Sequence, residues 1–185
     1  MGEVIHLKTP FSEKDTISLR CGDRVAISGI VYTARDAAHS RLLDLLSEGK
    51  ELPIPIEGQV IYYVGPSPAP PGRVIGAAGP TTSYRMDPYT PTLLELGLRG
   101  MIGKGRRSKE VVDAMTRYKA VYMAAIGGAG ALMAGAIKDA RVVAYEDLGP
   151  EAIRELTVEN LPAIVVNDTL GRDQYIEGQS QYRTG

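Results

Sequence analysis

Arg24-Val25-Ala26-Ile27-Ser28-Gly29-Ile30-Val31-Tyr32-Thr33, followed after Ala34-Arg35 by the stretch 36–48, decides the fold class. The first ten residues alternate and are rich in β-branched side chains, which predicts a strand. From Asp36 the spacing changes: Leu42, Leu43, Leu45 and Leu46 mark the apolar side of a helix over 36–48. Outward from this pair the alternation continues. Strands are expected at 60–64, 73–78, 100–102, 120–125, 141–145, 155–158 and 163–167, with an edge strand at 3–7. Helices are expected at 92–97, at 108–118 with Ser108 as N-cap, and at 129–137. Pro66, Pro68, Pro70 and Pro71 stiffen one loop, because each fixes φ and removes a donor. Strands interleaved with helices predict an α/β domain with a partly parallel sheet.

The chain has 185 residues, which suits a single domain over 1–185, with a core at about 5–175 and a flexible tail at 176–185. Its 21 Lys+Arg against 22 Asp+Glu leave no basic footprint for a sequence-blind nucleic-acid binder. One cysteine, Cys21, and two histidines cannot build an iron–sulfur or thiolate metal site. The apolar stretch 120–137 is interrupted by Gly127, Gly128, Gly130 and Gly135, so it reads as strand, turn and buried helix rather than a membrane span. A cytoplasmic protein is the expectation.

Four junctions carry candidate chemistry. After the 24–33 strand, Arg35 and His39 stand four apart, on one face of the following helix, with Asp36 suited to the helix N-terminus. After 73–78, Gly79-Pro80-Thr81-Thr82-Ser83-Tyr84-Arg85-Met86-Asp87 combines a close backbone approach, three hydroxyls and a guanidinium fork. After 100–102, Gly103-Lys104-Gly105 sets a cation on bare backbone, and Arg106 and Arg107 read as either a solvated basic turn or part of a site. After 120–125, Gly127-Gly128-Ala129-Gly130 resembles part of a dinucleotide fingerprint, but Met133 stands where its third glycine belongs. Arg35, Arg85 and Lys104 together suit a small dicarboxylate, each carboxylate taking a cation.

The run Gly79-Pro80-Thr81-Thr82-Ser83-Tyr84-Arg85-Met86-Asp87, with Arg35-Asp36-Ala37-Ala38-His39 upstream and Gly103-Lys104-Gly105 downstream, resembles the β subunit of class I, iron–sulfur fumarate hydratase. Gly127-Gly128, Glu146-Asp147-Leu148-Gly149 and Leu161-Pro162-Ala163 follow in the same order, and the resemblance covers about 5–175. Tartrate dehydratase β subunits share Gly79-Pro80-Thr81-Thr82. The resemblance implies a single swivelling β/β/α domain and a hydro-lyase that interconverts fumarate and (S)-malate. It implies Arg35, Arg85 and Lys104 as substrate-carboxylate ligands, Thr81 as the proton-abstracting residue, and His39 as an active-site histidine. It further implies an α partner that contributes an aspartate and holds the [4Fe-4S] cluster, none of it ligated by this chain, and a possible dimer of αβ pairs. The competing expectations are a tartrate dehydratase β subunit, a nucleotide-binding module using 127–130, and a non-catalytic interaction subunit.

Overall fold

A computed structural model describes residues 3–125 and 130–182. The elements in chain order are β1 (Val4–Lys8), α1 (Glu13–Ser18), β2 (Arg24–Thr33), α2 (Asp36–Ser47), β3 (Val60–Tyr62), α3 (Thr90–Glu95) and β4 (Gly100–Gly103). After them come α4 (Lys109–Tyr118), β5 (Val121–Ala124), α5 (Gly130–Ala136), β6 (Ile137–Ala144), β7 (Ile153–Asn167) and α6 (Gln174–Tyr182). Two 3₁₀ turns, Ser83–Met86 and Glu146–Glu151, lie between them.

Strands β1 to β5 pair side by side and parallel, in chain order. The 15-residue β7 then closes the sheet. One of its edges runs antiparallel along β2 from Arg24 to Tyr32. Its other edge meets β5 near Val165 and β6 near Leu156. Strands β2, β3, β4, β5 and β7 therefore form a small barrel-like ring, with β1 and β6 outside it. Closure leaves the ring strands no open edge for stray pairing.

Alternation along the strands divides the core in two. Val25, Ile27, Val31, Val60, Tyr62 and Ile102 belong to the cluster inside the ring. Ile61, Tyr63, Met101 and Tyr122 point the other way and pack with Ala38 and Leu42 of α2, Leu93 and Leu94 of α3, and Val111 and Met115 of α4. The short β3 and β4 are buried on both faces, as strands covered on two sides must be.

The fold is mixed α/β and partly parallel, as expected. β2 has its predicted bounds, and Ser108 caps α4 by accepting the Val111 N–H. Several expectations need correction. No strand forms at 73–78; the segment is held as a loop by Ser67 N–H donating to Ala77 O and Ala77 N–H donating to Ser67 Oγ. The two strands expected at 155–158 and 163–167 are one. Opposite Ser28, β7 carries two residues, Glu159 and Asn160; Asn160 takes a left-handed φ of 51° and donates its N–H to Ser28 Oγ. This β-bulge carries the strand across Leu161-Pro162, where the proline reads as a break. Helix α1 was not expected, because 13–18 lacks apolar periodicity. Its signal was a reciprocal cap: Ser12 Oγ accepts from Asp15 N–H at 3.2 Å and the Asp15 carboxylate accepts from Ser12 N–H at 2.7 Å. Helix α6 occupies part of the stretch expected to be a tail. No helix among the described residues is long and apolar enough to cross a membrane.

Candidate active site

Because β2, β3, β4 and β5 run parallel, their carboxyl ends open at the same end of the ring. Three of the four candidate junctions meet there. Residues 127–129 of the glycine-rich turn lie outside the described residues, so that candidate is represented only by Gly130, the first residue of the seven-residue α5.

The segment Thr81-Thr82-Ser83 is built into the sheet as a wedge between the ends of β3 and β4. Thr81 N–H donates to Tyr63 O at 2.6 Å, Lys104 N–H donates to Thr81 O at 3.2 Å, and Ser83 N–H donates to Lys104 O at 2.8 Å. Main-chain bonds thus hold Thr81 beside Lys104, and among the described residues the Thr81 hydroxyl makes no hydrogen bond. Lys104 is exposed, and no described carboxylate lies within ion-pair distance of its ammonium. Below the wedge, Ser83 Oγ meets Tyr122 OH at 2.9 Å, and Tyr122 OH donates to Gly105 O. This approach requires glycine at 103, where a Cβ would lie 2.0 Å from Ser83 Oγ and 2.9 Å from Tyr63 Cδ2. Gly103→Ala is expected to displace Ser83 and loosen the Thr81–Lys104 ladder, at a cost of about 1–3 kcal/mol for overpacking. Thermal unfolding measures it, and an unchanged midpoint would show that the wedge is not held this way.

The two arginines are brought together by a carboxylate. Asp36, the first residue of α2, accepts from Arg85 Nη2 at 2.6 Å through Oδ2, while its Oδ1 stands 3.9 Å from Arg35 Nη2. Arg35 Nη2 also reaches Glu151 Oε1 at 3.0 Å, and the side chain packs against Gly65, where a Cβ would come within 2.8 Å of Nη1. Arg85–Asp36–Arg35–Glu151 is therefore a continuous run of alternating charge. Two guanidiniums this close need an anion between them, and Asp36 supplies it. The run is not fully satisfied, since Arg35 Nε and Asp36 Oδ1 are buried without a hydrogen bond among the described residues. The arginine pair and the Thr81–Lys104 pair are joined through the chain itself, because the wedge runs directly into the 3₁₀ turn Ser83–Met86 that carries Arg85. An antiparallel bridge from Val64 to Pro80 also ties the Gly65 floor under Arg35 to the wedge.

His39 is placed differently. It is fully buried, its Nδ1 lies 2.8 Å from Arg35 O, and its Nε2 has no hydrogen-bond partner among the described residues. Burial, with a smaller contribution from Arg107, pulls its pKa down to about 4. Arg107 is likewise no solvated turn residue. Its side chain is wholly buried, with Nε on Asp87 Oδ1 at 2.6 Å, Nη2 on Thr90 Oγ1 at 2.8 Å, and its guanidinium about 5 Å from the rings of Tyr63 and Tyr122. Asp87 Oδ2 accepts the Ser108 N–H at the start of α4. Sequence reasoning singled out neither Glu151 nor this Arg107–Asp87 strut. Arg107 sits in a basic run that reads equally as a solvated turn or as part of a site, and nothing local to Glu151 points to Arg35.

An iron–sulfur cluster needs several thiolates, and the residues here do not fit one. Cys21 precedes β2, at the end of that strand opposite Arg35. Its thiol donates to Val166 O, and burial pushes its pKa up to about 12. Among the described residues no group of three or more His, Cys, Asp or Glu is placed to hold a metal ion.

Residues 2–178 match the family model described as Fumarase C-terminus. The chain belongs to the fumarase C-terminus family. It is 41% identical over 152 residues to "Fumarate hydratase class I, anaerobic" of Escherichia coli (strain K12), covering 81% of this chain and 28% of that protein. It is 40% identical, over the same shares, to "Fumarate hydratase 1, mitochondrial" of Leishmania major. The chain thus spans less than a third of the length of these fumarate hydratases. A protein of Methanocaldococcus jannaschii, provisionally named L(+)-tartrate dehydratase subunit beta, is 37% identical over 172 residues, covering 90% of this chain and 88% of that one. By name these relatives are hydro-lyases.

Proposed function

We propose that the chain is the β part of an iron–sulfur hydro-lyase that interconverts fumarate and (S)-malate, working with an α part that holds the [4Fe-4S] cluster. The observation that carries this reading is the meeting of Arg35, Arg85, Thr81 and Lys104 at the carboxyl end of one ring, in a chain of the fumarase C-terminus family. In this reading the domain is a swivelling β/β/α unit in a cytoplasmic enzyme, one chain of an αβ pair or of a dimer of such pairs.

Each guanidinium retains donors beyond those given to Asp36 and Glu151, and these can take one carboxylate of a dicarboxylate in a fork. Lys104 supplies a point charge next to Thr81. When the C3 proton of malate leaves, negative charge grows on the adjacent carboxylate, and cations already in place stabilise it without reorganising. The Thr81 hydroxyl receives or relays that proton. A free hydroxyl is too weak a base at neutral pH, so this role needs a neighbouring base, such as an aspartate from the α part. Hydroxide loss from C2 is the α part's chemistry, and this chain orients the substrate for it.

The tartrate reading has its own support, because the relative matched over 88% of its length carries that name. Co-expression with an α chain bearing three cluster cysteines, purified without oxygen, tests both. Loss of fumarate absorbance with appearance of malate is the expected result. Turnover of tartrate without fumarate assigns the second reading, and turnover of neither by a cluster-loaded complex overturns both.

A further inference from the structure

We propose that His39 is a positioning residue for Arg35: a neutral imidazole whose Nδ1–H grips the Arg35 carbonyl and so fixes where the Arg35 guanidinium points. The inference rests on reading this end of the ring as a dicarboxylate site.

The Arg35 carbonyl accepts two hydrogen bonds, and His39 donates both. One is the helical bond from the His39 N–H at 2.8 Å, and the other is from Nδ1, also at 2.8 Å. A carbonyl only accepts, so Nδ1 carries the proton and Nε2 is the bare nitrogen. Nε2 is buried and has no hydrogen-bond partner among the described residues. A second proton there would leave an N–H unpaired among buried rings. Tyr63 stands edge-on to the imidazole with centroids 5.5 Å apart, and Tyr89 lies at 6.0 Å. The charged groups bearing on the ring are Arg107, which disfavours a cation, and Asp36, which favours one. Burial outweighs both.

With no exposure, His39 cannot reach a substrate, which separates it from the catalytic role the resemblance implies. Packing alone does not account for it either. A leucine would fill the space without burying a bare acceptor, and the helical N–H bond already satisfies the Arg35 carbonyl. What the imidazole adds is a second hold on one peptide group, that of the residue entering α2. Arg35 makes no side-chain cap there, and its guanidinium is turned toward Glu151 and Asp36. The ring in turn is clamped by Tyr63, whose hydroxyl accepts from the buried Arg107. The hold on Arg35 is thus referred back to the core of the domain.

The test uses the assembled αβ enzyme with His39→Asn, which offers an amide N–H where Nδ1 stands, and His39→Leu, which fills the volume without a donor. His39→Leu is expected to raise KM for the dicarboxylate about tenfold or more with a smaller change in kcat, and His39→Asn to stay within about threefold of the wild type. Neither substitution should remove an ionisation from the pH dependence of kcat/KM between about pH 5 and 9. Loss of such an ionisation in both variants, or an unmoved KM in His39→Leu, would overturn the proposal. If the leucine variant does not fold, nitrogen-15 NMR of the unsubstituted protein decides. A neutral Nδ1–H tautomer persisting down to about pH 5 supports the proposal, and an Nε2–H tautomer or a cation above that pH overturns it. A cluster-loaded wild type that turns over no dicarboxylate defeats the proposed function and this inference together. An active wild type with an insensitive KM defeats this inference alone.

Discussion

Thr81→Ala in the assembled enzyme is expected to lower kcat by about a hundredfold or more, the usual contribution of a positioned proton-transfer group, while KM stays close to the wild-type value. The geometry makes the substitution unusually clean. Thr81 is held by its own N–H and carbonyl, through Tyr63 and Lys104, so truncating the side chain leaves the wedge in place. Its hydroxyl has no described partner to orphan. Arg85 and Asp36 keep their ion pair, and the carboxylate fork survives. Thr82→Ala serves as the internal control, with a change in kcat of no more than about threefold. Steady-state kinetics with the cluster spectrum recorded on the same sample provides the measurement. Near-normal turnover by Thr81→Ala, or an equal loss in Thr82→Ala, would remove Thr81 from its role.

The largest effect on stability is expected at a residue outside the chemistry. Asp87→Ala leaves the Arg107 guanidinium buried with its charge uncompensated and strips the Ser108 N–H of its acceptor. Breaking one side of a buried pair costs about 3–5 kcal/mol. For a domain of this size that lowers the unfolding midpoint by roughly 10 °C. The double substitution Asp87→Leu with Arg107→Met removes both charges and is expected to recover much of the loss, because the cost comes from the orphaned ion rather than from the missing bond. Thermal denaturation of the two variants beside the wild type separates the cases. If Asp87→Ala costs less than about 1 kcal/mol, solvent reaches Arg107 and the strut is not one.

Much of the architecture was legible because strand and helix leave local periods in the chain. β2 could be bounded to the residue, and α2 nearly so, since alternation gives way to helical spacing at Asp36. The candidate residues were legible for another reason. Hydroxyls, glycines and single cations gathered at strand ends break the local apolar period, so Arg35, Thr81, Arg85 and Lys104 stood out. What could not be read was pairing. Pro162 and Asn160 look like the end of a strand, yet β7 runs through them because β2 on one edge and β5 and β6 on the other hold it there. Nothing near Ile153 or Asn167 announces that one strand will close a ring.

The sequence accordingly determined the α/β class, the bounds of β2 and α2, the junctions where candidate chemistry gathers, and that one thiol cannot hold a cluster. Those are questions of local period and of residue type. The folded chain settled which charge meets which. Arg107 and Arg85 are both arginines beside polar neighbours, yet one is wholly buried against Asp87 and the other partly exposed, sharing Asp36 with Arg35. His39 falls on the same helical face as Arg35, and only the folded chain shows it fully buried against the rings of Tyr63 and Tyr89. Burying an ionisable group is costly unless a partner stands within reach. Whether one does depends on contacts between residues far apart in the chain.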